Sequence, residues 1–536
     1  MTDNGTLNSL WSQAIVAGFV AAGVKRAVIS PGSRSTPLAL ALLGQSGLLC
    51  DVTVDERSAA FFALGIAKAS HRPVLLLATS GTAPANWMPA VMEANLSRVP
   101  LILISADRPP ELQACGANQT VDQVNLFGVQ VRASHALGAP HEGFDPAYLH
   151  RLAARVCEQA IWPHPGPVHI NQPFREPLIP QGNLLASDVP AEIYIRQPLL
   201  SPTPGDIQEV CRVIAGRPGV IVCGELPESP DFPFAISALA AQLVCPILAE
   251  PLSNLRFGPH DLSHVAVRYN AWLSDSASQA RVRPEWVLRF GAFPVTRNLQ
   301  NYVASATVQI VVQPWPRWSD PAQRVTHMLR SDPTAFCKAL IAALSQSCTA
   351  GWQRTFVEIE EGAQPAEKVE HIAAILDHLP ENHAVFVGNS LAIRQLDTHS
   401  GCGNKALHFY GNRGASGIDG NISTAMGIAA EHGQVLALLG DLTTQHDIGG
   451  LALAQGRDVV IVTVNNAGGG IFDLLPQAAL PEFEKGWRTP QQINFEHAAL
   501  CFGLSYVRAE NAEDLRSALS AAISKGGPHL IELMLA

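Results

Sequence analysis

The sequence lacks paired cysteines. Its ten cysteines are scattered along the chain, and no two of them form a Cys-X-X-Cys pair. Such pairs are typical of structural zinc sites and redox motifs, and closely spaced cysteines are typical of small secreted domains held by disulfides. The scattered cysteines therefore argue against these classes and indicate reduced thiols in a cytoplasmic protein.

Long apolar runs are also missing from the N-terminal stretch. Its one apolar run, Ala14 to Val24, is shorter than the ~20 residues that a bilayer-spanning helix needs. An acidic residue, Asp3, precedes the run and no basic residue does, which is unlike a signal peptide. We expect this run to form a buried first helix and the protein to have no membrane partner.

An excess of positive charge is absent as well. The formal net charge is −10, the isoelectric point is near 6.0 and only 15% of the residues are charged. Non-specific nucleic-acid binders are normally basic, so no nucleic-acid partner is expected. With 536 residues, 47% of them apolar, the chain can instead bury large cores in about three domains.

Short, continuously apolar runs alternate with helical stretches along most of the chain. This pattern predicts an α/β fold of three doubly wound domains, with mainly parallel sheets covered by helices on both faces. A proline-rich linker is predicted from Gln181 to Asp206, and the pattern loosens again from Ser345 to Lys368. The predicted domains are therefore residues 1–182, 205–345 and 365–536.

Two predicted strand ends in the last domain carry oxygen-bearing side chains. Asp441 follows the apolar run VLALLG, and Asn466 follows VVIVTV and precedes a glycine run that ends at Gly470. Ligands of parallel sheets bind beyond the carboxyl ends of the strands, and such oxygens suit Mg²⁺ bound to phosphate. Taken singly, each segment is an ordinary turn or loop, but together they favour a cation that holds a diphosphate.

This pair of segments resembles the metal-binding motif of thiamine-diphosphate enzymes. The resemblance implies that thiamine diphosphate is the cofactor. It also implies that Asp441, Asn466 and the carbonyl of Gly468 hold Mg²⁺ or Mn²⁺ against the diphosphate. The motif usually has glycine directly after the aspartate, whereas this chain has Leu442.

Further segments are similar to one family within that class, the MenD synthases of menaquinone and phylloquinone biosynthesis. They read SPGSRSTPLALAL, DERSAAFFALGIAKAS, TSGTAPAN, ADRPPEL, CGANQT, FVGNSLAIR and NRGASGIDG. The resemblance covers the first and third domains well and the central one weakly. It implies a pyrimidine-binding domain, a central α/β domain and a diphosphate- and metal-binding domain, in that order.

Thiamine chemistry requires a carboxylate against the pyrimidine ring of the cofactor. The segment DVTVDERS offers Asp55 and Glu56, and by position alone either acid could cap the helix that follows. The family resemblance selects Glu56 as the catalytic acid and leaves Asp55 as the cap. It also implies a homodimer or a dimer of dimers, because in this class the acid and the metal site come from different subunits.

Arginines recur after predicted strands although the chain is acidic, which indicates substrates with several carboxylates. A surface ion pair is the alternative for each arginine taken alone. The family resemblance implies substrate contacts for Ser33, Arg34, Arg108, Gln119, Ser390, Arg394 and Arg413. In the segment PVTRNLQ it implies the same for Arg297, next to Thr296 where the family often has lysine.

Three apolar residues complete the predicted site. By resemblance, Ile418 bends the cofactor so that its two rings meet, and Ile471 and Phe472 line the pocket of the acceptor substrate. Read alone, Ile418 is equally a core residue, and the other two are simply the next apolar positions after a glycine loop. Ser390 and Leu442 also count among the predicted cofactor contacts.

The implied reaction is a transferase reaction. In it, 2-oxoglutarate loses CO₂ and its remaining four carbons add 1,4 to isochorismate, giving 2-succinyl-5-enolpyruvyl-6-hydroxy-3-cyclohexene-1-carboxylate. Another thiamine enzyme, such as a 2-oxoacid decarboxylase or an acetohydroxyacid synthase, is the nearest alternative. A dinucleotide-binding oxidoreductase is a more distant one, because GNRGASG does not begin a full glycine fingerprint. A non-catalytic binding module is the third.

Overall fold

Three six-stranded sheets follow one another along the chain in a computed structural model that describes residues 3–182, 190–227, 229–365 and 369–535. Neighbouring strands pair in parallel within each sheet. Inner strands such as Val74–Ala78, Leu101–Asp107, Gly219–Cys223 and Trp286–Phe290 are buried along their whole length, as parallel strands with helices on both faces must be. The predicted α/β class with three doubly wound sheets is therefore confirmed.

The first sheet has the strand order β2-β1-β3-β4-β6-β5. Ser33 and Arg34 follow β1, and Thr79 follows β3, so these residues lie where the strand order reverses, which is the usual ligand crevice of such sheets. The elements of this unit are α1 (Asn4–Ala21), β1 (Arg26–Ile29), α2 (Thr36–Gly44), β2 (Leu49–Val52), α3 (Glu56–Ser70), β3 (Val74–Ala78), α4 (Met88–Ser97), β4 (Leu101–Asp107), β5 (Ser134–Ala136), α5 (Pro146–Ile161) and β6 (Val168–Pro173).

The central sheet has the order β12-β11-β10-β7-β8-β9 and its own hydrophobic core. Its elements are α6 (Pro204–Ile214), β7 (Gly219–Cys223), α7 (Phe232–Leu243), β8 (Ile247–Ala249), β9 (Val265–Ala266), α8 (Tyr269–Trp272), α9 (Ser276–Arg281), β10 (Trp286–Phe290), α10 (Arg297–Ala304), β11 (Val308–Val312), β12 (His327–Leu329), α11 (Pro333–Ala343) and α12 (Trp352–Gly362).

The third sheet has the order β14-β13-β15-β16-β18-β17, which reverses between β13 and β15. Its elements are α13 (Glu370–His378), β13 (His383–Val387), α14 (Leu391–His399), β14 (Leu407–Tyr410), α15 (Asn421–His432), β15 (Gln434–Gly440), α16 (Asp441–His446), β16 (Asp458–Asn465), α17 (Phe495–Cys501), β17 (Ser505–Ala509), α18 (Ala512–Lys525) and β18 (Pro528–Met534).

Two sequence expectations about the connecting segments differ from the structure. The segment expected to loosen contains α12, whose Trp352, Phe356 and Ile359 are buried in the central core beyond the predicted boundary at residue 345. Its acidic outward face made this helix resemble a solvated loop. The predicted linker reaches only to residue 203, because Thr203 caps α6, and residues 183–189 and 366–368 lie outside the described parts. The domain limits themselves stay a prediction.

The first helix agrees with the sequence. Helix α1 buries Ala14, Ile15 and Phe19 against the first sheet. Among the described residues, no helix has the combination of length and apolarity that a bilayer crossing requires.

The first and third units share one continuous core, which brings their sites to a fixed arrangement. Helices α3 and α15 pack together between the two sheets, and residues of both units contribute to this core. The backbones touch at two glycines: a Cβ atom on Gly65 would lie 2.0 Å from the carbonyl oxygen of Thr424, and one on Gly427 would lie 2.1 Å from that of Phe62. The helices could not approach so closely with larger residues there.

Replacing Gly65 by Ala is therefore expected to destabilise the protein by about 1–3 kcal/mol, since the added methyl group can only be accommodated by separating the two helices. The measurement is the midpoint of thermal unfolding. Gly44→Ala is the matched control, because Gly44 ends α2 and a Cβ there meets no atom within 4 Å. Equal midpoints for the two variants would contradict the close packing of α3 on α15.

Candidate active site

Asp441 lies where β15 ends and α16 begins. Its side chain is buried: Oδ1 accepts a hydrogen bond from the backbone N–H of Leu442 at 2.8 Å, and Oδ2 accepts one from the N–H of Gly468 at 2.6 Å. Burial raises the pKa of this carboxyl above its ordinary value, while the two N–H donors and nearby Arg488 act in the opposite direction. A positive charge bound beside it would favour the ionised form further.

Asn466 lies just beyond β16 and carries an unsatisfied acceptor. Its Oδ1 atom is buried and has no hydrogen-bond partner among the described residues, while its backbone carbonyl accepts from Nη2 of Arg488 at 2.6 Å. The glycines beside it leave no room for side chains. Gly468 has φ +126°, and a Cβ on Gly470 would lie 2.4 Å from Nδ2 of Asn466.

These groups fit a divalent cation of the magnesium type. Buried acceptors normally have partners, so the free Oδ1 atom of Asn466 next to the Asp441 carboxylate indicates a site built for a ligand. Carboxylate, amide and carbonyl oxygens are the donors that such cations prefer. In the described part of the chain no cluster of three His, Cys, Asp or Glu side chains could hold a metal, so amide and carbonyl oxygens would have to complete the set.

A cavity of about 370 Å³ opens beside these atoms at the carboxyl ends of β13, β15 and β16. It lies where the strand order of the third sheet reverses, as ligand sites of such sheets do. Eight predicted site residues line it together: Ser390, Ile418, Asp441, Leu442, Asn466, Gly468, Ile471 and Phe472.

Two predicted arginines lie at the margin of this cavity. Nη1 of Arg394 donates to the carbonyl oxygen of Ser390 at 2.7 Å, and Nη1 of Arg413 donates to Oδ1 of Asn389 at 2.5 Å. Burial and the nearby charge of Arg413 both lower the pKa of Arg394. Burying two positively charged guanidinium groups close together is unfavourable unless a negative charge compensates them. Their arrangement therefore favours an anionic ligand between them. Ser390 itself has a positive φ of 67°, a strained conformation of the kind found at binding sites.

A second set of predicted residues surrounds the loop after β3. The backbone N–H of Arg34 donates to Oγ1 of Thr79 at 3.3 Å, Arg108 donates to the hydroxyl of Ser80, and Nε2 of Gln119 donates to the carbonyl oxygen of Ser80 at 2.9 Å. These three residues are far apart in the sequence, so their spacing did not predict that they lie together. The fold brings them to one crevice, where the strand order of the first sheet reverses.

The two arginines of this second set differ in exposure. Arg34 is buried and its guanidinium donates to the carbonyl oxygen of Phe174 at 2.9 Å and to Glu176 at 2.8 Å. Burial and the charge of Arg34 lower the pKa of Arg108. Ser33 is exposed at the edge of the same crevice. Arg34 is thus a buried arginine that also forms an ion pair with the exposed carboxylate of Glu176.

The two candidate acids have different positions. Asp55 is the N-cap of α3: its side chain accepts from the N–H groups of Arg57 at 2.9 Å and of Ser58 at 3.4 Å. Glu56 is the first residue of the helix and is half-buried. Asp55 therefore has the capping position expected of it, and the carboxylate of Glu56 is not used in the cap.

Within one chain the structure does not bring all predicted residues together. The cavity that Asp441 lines contains no residue of the first sheet's unit among those described, so Glu56 and the set around Ser80 lie apart from it. Arg297 belongs to neither set and is exposed at the start of α10.

Several side chains that shape the site were not singled out from the sequence. Asn389 holds Arg413, and its Nδ2 atom also donates to the carbonyl oxygens of Asn412 at 2.9 Å and Gly417 at 2.6 Å. Glu93 of α4 accepts from the N–H groups of Gly414 at 2.9 Å and Ala415 at 2.6 Å. A lone acid within the apolar segment MPAVMEANL was the available signal for Glu93.

Comparison with known protein families agrees with this geometry. Residues 11–126 match the family described as thiamine pyrophosphate enzyme, N-terminal TPP binding domain, and residues 398–533 match the corresponding C-terminal TPP binding domain. The fold, the cavity and these two matches define a thiamine-diphosphate-dependent enzyme.

Curated relatives show which family of thiamine-diphosphate-dependent enzymes the chain belongs to. The chain is 61% identical over 534 residues to the 2-succinyl-5-enolpyruvyl-6-hydroxy-3-cyclohexene-1-carboxylate synthase of Dechloromonas aromatica, covering 99% of each chain. It is 39% identical over 550 residues to the synthase of the same name from Geobacillus thermodenitrificans, covering 98% of this chain and 93% of the relative. The chain belongs to the family of these synthases, the MenD family.

A solved structure shares the fold. The benzoylformate decarboxylase of Polynucleobacter necessarius superposes with a TM-score of 0.73 at 18% identity, covering 98% of each chain. This likeness concerns the fold alone. Among the alternatives left by the sequence, the family membership favours a MenD synthase over other thiamine enzymes, over an oxidoreductase and over a non-catalytic module.

Proposed function

We propose that the protein removes CO₂ from 2-oxoglutarate and adds the remaining four-carbon unit to isochorismate, with thiamine diphosphate and Mg²⁺ or Mn²⁺. The observation that carries the proposal is the cavity at the third sheet, where the free Oδ1 of Asn466 lies beside the carboxylate of Asp441. The name shared by the relatives supports the choice of substrates.

The third unit would hold the cofactor. Asp441, Asn466 and the carbonyl oxygen of Gly468 would ligate the cation, and the backbone of the glycine loop would approach the diphosphate. Ile418 would support the bent cofactor from below, with Ser390 and Leu442 beside it. When bound, thiamine diphosphate supplies a carbon nucleophile and an electron sink.

Glu56 would hold a proton at the pyrimidine ring nitrogen of the cofactor. Since no described residue of the first unit lines the cavity in the same chain, we infer that a second protomer brings its own Glu56 to it. The assembly is then a homodimer or a dimer of dimers with sites at its interfaces, in the cytoplasm.

The arginines would orient the substrates. Arg394 and Arg413 would bind carboxylates at the cavity of one protomer, and Arg34 and Arg108, with Ser33 and Gln119, would do so from the second. Ile471 and Phe472 would line the pocket of isochorismate and keep water from the reacting carbons. Holding both substrates in attack geometry contributes to the rate without a further chemical group. Arg297 is kept as a more distant candidate for the same task.

The test is an assay of purified protein supplied with thiamine diphosphate and Mg²⁺. We expect 2-oxoglutarate to be consumed with formation of the addition product only when isochorismate is present. Pyruvate and benzoylformate serve as alternative donors that lack the second carboxylate. Consumption of 2-oxoglutarate without any product that depends on isochorismate would contradict the proposal.

Replacing Arg413 by Lys is expected to lower kcat/KM for 2-oxoglutarate about 10- to 100-fold, because lysine keeps the charge but loses the paired N–H donors that fit a carboxylate. Steady-state kinetics measure the effect. Arg516→Lys is the control, since Arg516 is a surface residue of α18 that pairs with Glu513 at 3.1 Å. An Arg413→Lys enzyme as active as the control would remove Arg413 from the substrate site.

A further inference from the structure

Behind Arg413, at the border between the central and third units, lies a small cavity of about 50 Å³. Its lining includes Glu250, Asp397 and Arg413, together with Phe293 and Ile393. The cavity can hold a water-sized molecule, which leaves the side chains around it some freedom to reorient. It is separate from the cavity that Asp441 lines, but Arg413 connects the two, because it also contacts Asn389 of the larger one.

Glu250 follows β8 and is buried with only part of its hydrogen-bonding capacity used. Its Oε1 atom accepts from the backbone N–H of Val295 at 2.6 Å, and among the described residues no donor to its Oε2 atom is found. Asp397, in contrast, is fully engaged: it accepts from Arg256 at 2.5 Å, from Asn270 at 2.7 Å and from the hydroxyl of Tyr269. Among the described residues, Glu250 therefore has an unused acceptor atom beside this cavity, whereas both carboxylate oxygens of Asp397 are engaged.

Arg413 also has an unused donor. Its Nη1 atom donates to Asn389, but its Nε–H is buried and has no acceptor in the part of the chain that the structure describes. A buried N–H donor that lacks a partner is costly, so an acceptor that comes within reach of it would be favoured.

We propose that Glu250 is a positioning residue that acts through Arg413. In its neutral form it leaves Arg413 to the carboxylate of the substrate, and in its ionised form it draws the guanidinium toward the small cavity and competes with that carboxylate. This inference rests on the proposed role of Arg413 in binding 2-oxoglutarate, and it adds a residue of the central unit to the site.

The surroundings of Glu250 raise the pKa of its carboxyl into the pH range in which the enzyme can be assayed. Burial and the neighbouring carboxylate of Asp397 raise the pKa of Glu250 to about 8, against the lowering effect of the Val295 N–H and of the charges of Arg413 and Arg256. The other groups that face it are Tyr269 on α8, Arg289 on β10, Cys223 on β7 and Glu225 across the cavity. The raised pKa favours the neutral form of Glu250 at neutral pH and its ionisation as the pH rises.

The test is the KM for 2-oxoglutarate between pH 6.5 and 9, measured with the holoenzyme at saturating isochorismate. We expect KM of the unmodified enzyme to rise about three- to tenfold over this range as a negative charge develops beside Arg413. The Glu250→Gln enzyme is expected to keep the low KM throughout, with kcat little changed. The same rise in both enzymes, or no rise in the unmodified enzyme, would overturn the proposal.

Glu360→Gln is the matched control. Glu360 is also a carboxylate of the central unit that accepts backbone N–H groups, from Val267 at 2.6 Å and Arg268 at 2.5 Å, but it does not line either cavity. This variant is expected to show the pH dependence of the unmodified enzyme. A loss of pH dependence in both variants would assign the effect to general disturbance of the central unit and overturn the role of Glu250.

A second measurement needs no variant. Glutarate, a dicarboxylate without the keto group, is titrated into the holoenzyme at pH 8 in two buffers of different ionisation enthalpy. Uptake of a fraction of a proton on binding is expected, and its absence would overturn the proposal. If Arg413→Lys has no kinetic effect, the proposed substrate site fails; if it impairs catalysis while Glu250→Gln behaves like the unmodified enzyme, only the role of Glu250 fails.

Discussion

Replacing Glu56 by Gln is expected to lower kcat by roughly 100- to 10,000-fold while the protein stays folded, because proton transfer by a positioned side chain typically contributes an effect of this size. Glutamine keeps the shape of the side chain but cannot exchange a proton with the pyrimidine ring. Since Glu56 contributes no side-chain bond to the cap of α3, its replacement should leave the helix intact. The measurements are steady-state turnover and far-ultraviolet circular dichroism.

Asp55→Asn is the control for this prediction. Asn is as good a helix cap as Asp, so the variant should keep both its stability and most of its turnover. The two acids are adjacent in the chain, so the pair separates the catalytic position from the capping position. A folded Glu56→Gln enzyme with near-normal turnover would show that another group performs the proton transfer.

A mixing experiment tests where Glu56 acts. If each site combines Glu56 of one protomer with Asp441 of another, inactive Glu56→Gln and Asp441→Asn chains should complement each other when they are unfolded and refolded together. Random pairing of two kinds of chain in dimers predicts recovery of about a quarter of the normal activity. No recovery would place the whole site within one chain.

Replacing Asp441 by Asn is expected to weaken cofactor binding at least about 100-fold, because the cation loses its one carboxylate ligand in the predicted set. The change conserves the shape of the side chain, but the new amide N–H₂ would face the cation or the N–H of Gly468, which now donates to Asp441 at 2.6 Å. Titration of thiamine diphosphate at several Mg²⁺ concentrations, followed by tryptophan fluorescence or calorimetry, measures the effect.

Asp458→Asn is the matched control for Asp441. Asp458 begins β16, so it lies at the end of the third sheet opposite to the cavity. The same change of one negative charge in the same unit should leave the affinity for thiamine diphosphate unaltered. Equal affinities of the Asp441→Asn and Asp458→Asn proteins would exclude Asp441 as a metal ligand.

Much of the fold could be predicted from local sequence patterns. Continuous apolar runs such as VLALLG and VVIVTV are buried strands of a parallel sheet, and the residues after them lie at a common edge. Of the eight predicted residues that line one cavity, Asp441, Asn466 and Gly468 follow from this rule and from the metal-binding motif, and the others were implied by the family resemblance. Helix α12 was missed because its three buried residues are spaced along an otherwise acidic and polar segment.

The rest of the site depends on contacts between distant parts of the chain. The pairing of Arg413 with Asn389 joins two loops of the third unit that are distant in the sequence. The anchoring of the Arg413 loop by Glu93 and the burial of Glu250 arise where separate units meet, and no local pattern records any of these contacts. The separation of Glu56 from the cavity agrees with the proposed dimer, in which a second protomer would bring its own Glu56 to the site.

The most direct test of the central claim is a crystal structure of the protein grown with thiamine diphosphate and Mg²⁺. The diphosphate should lie in the cavity of the third unit, bridged by the cation to Asp441, Asn466 and the carbonyl of Gly468. The pyrimidine ring nitrogen should lie within hydrogen-bond distance of the carboxylate of Glu56 from a second protomer. A diphosphate bound elsewhere, or a different carboxylate at the pyrimidine ring, would contradict it.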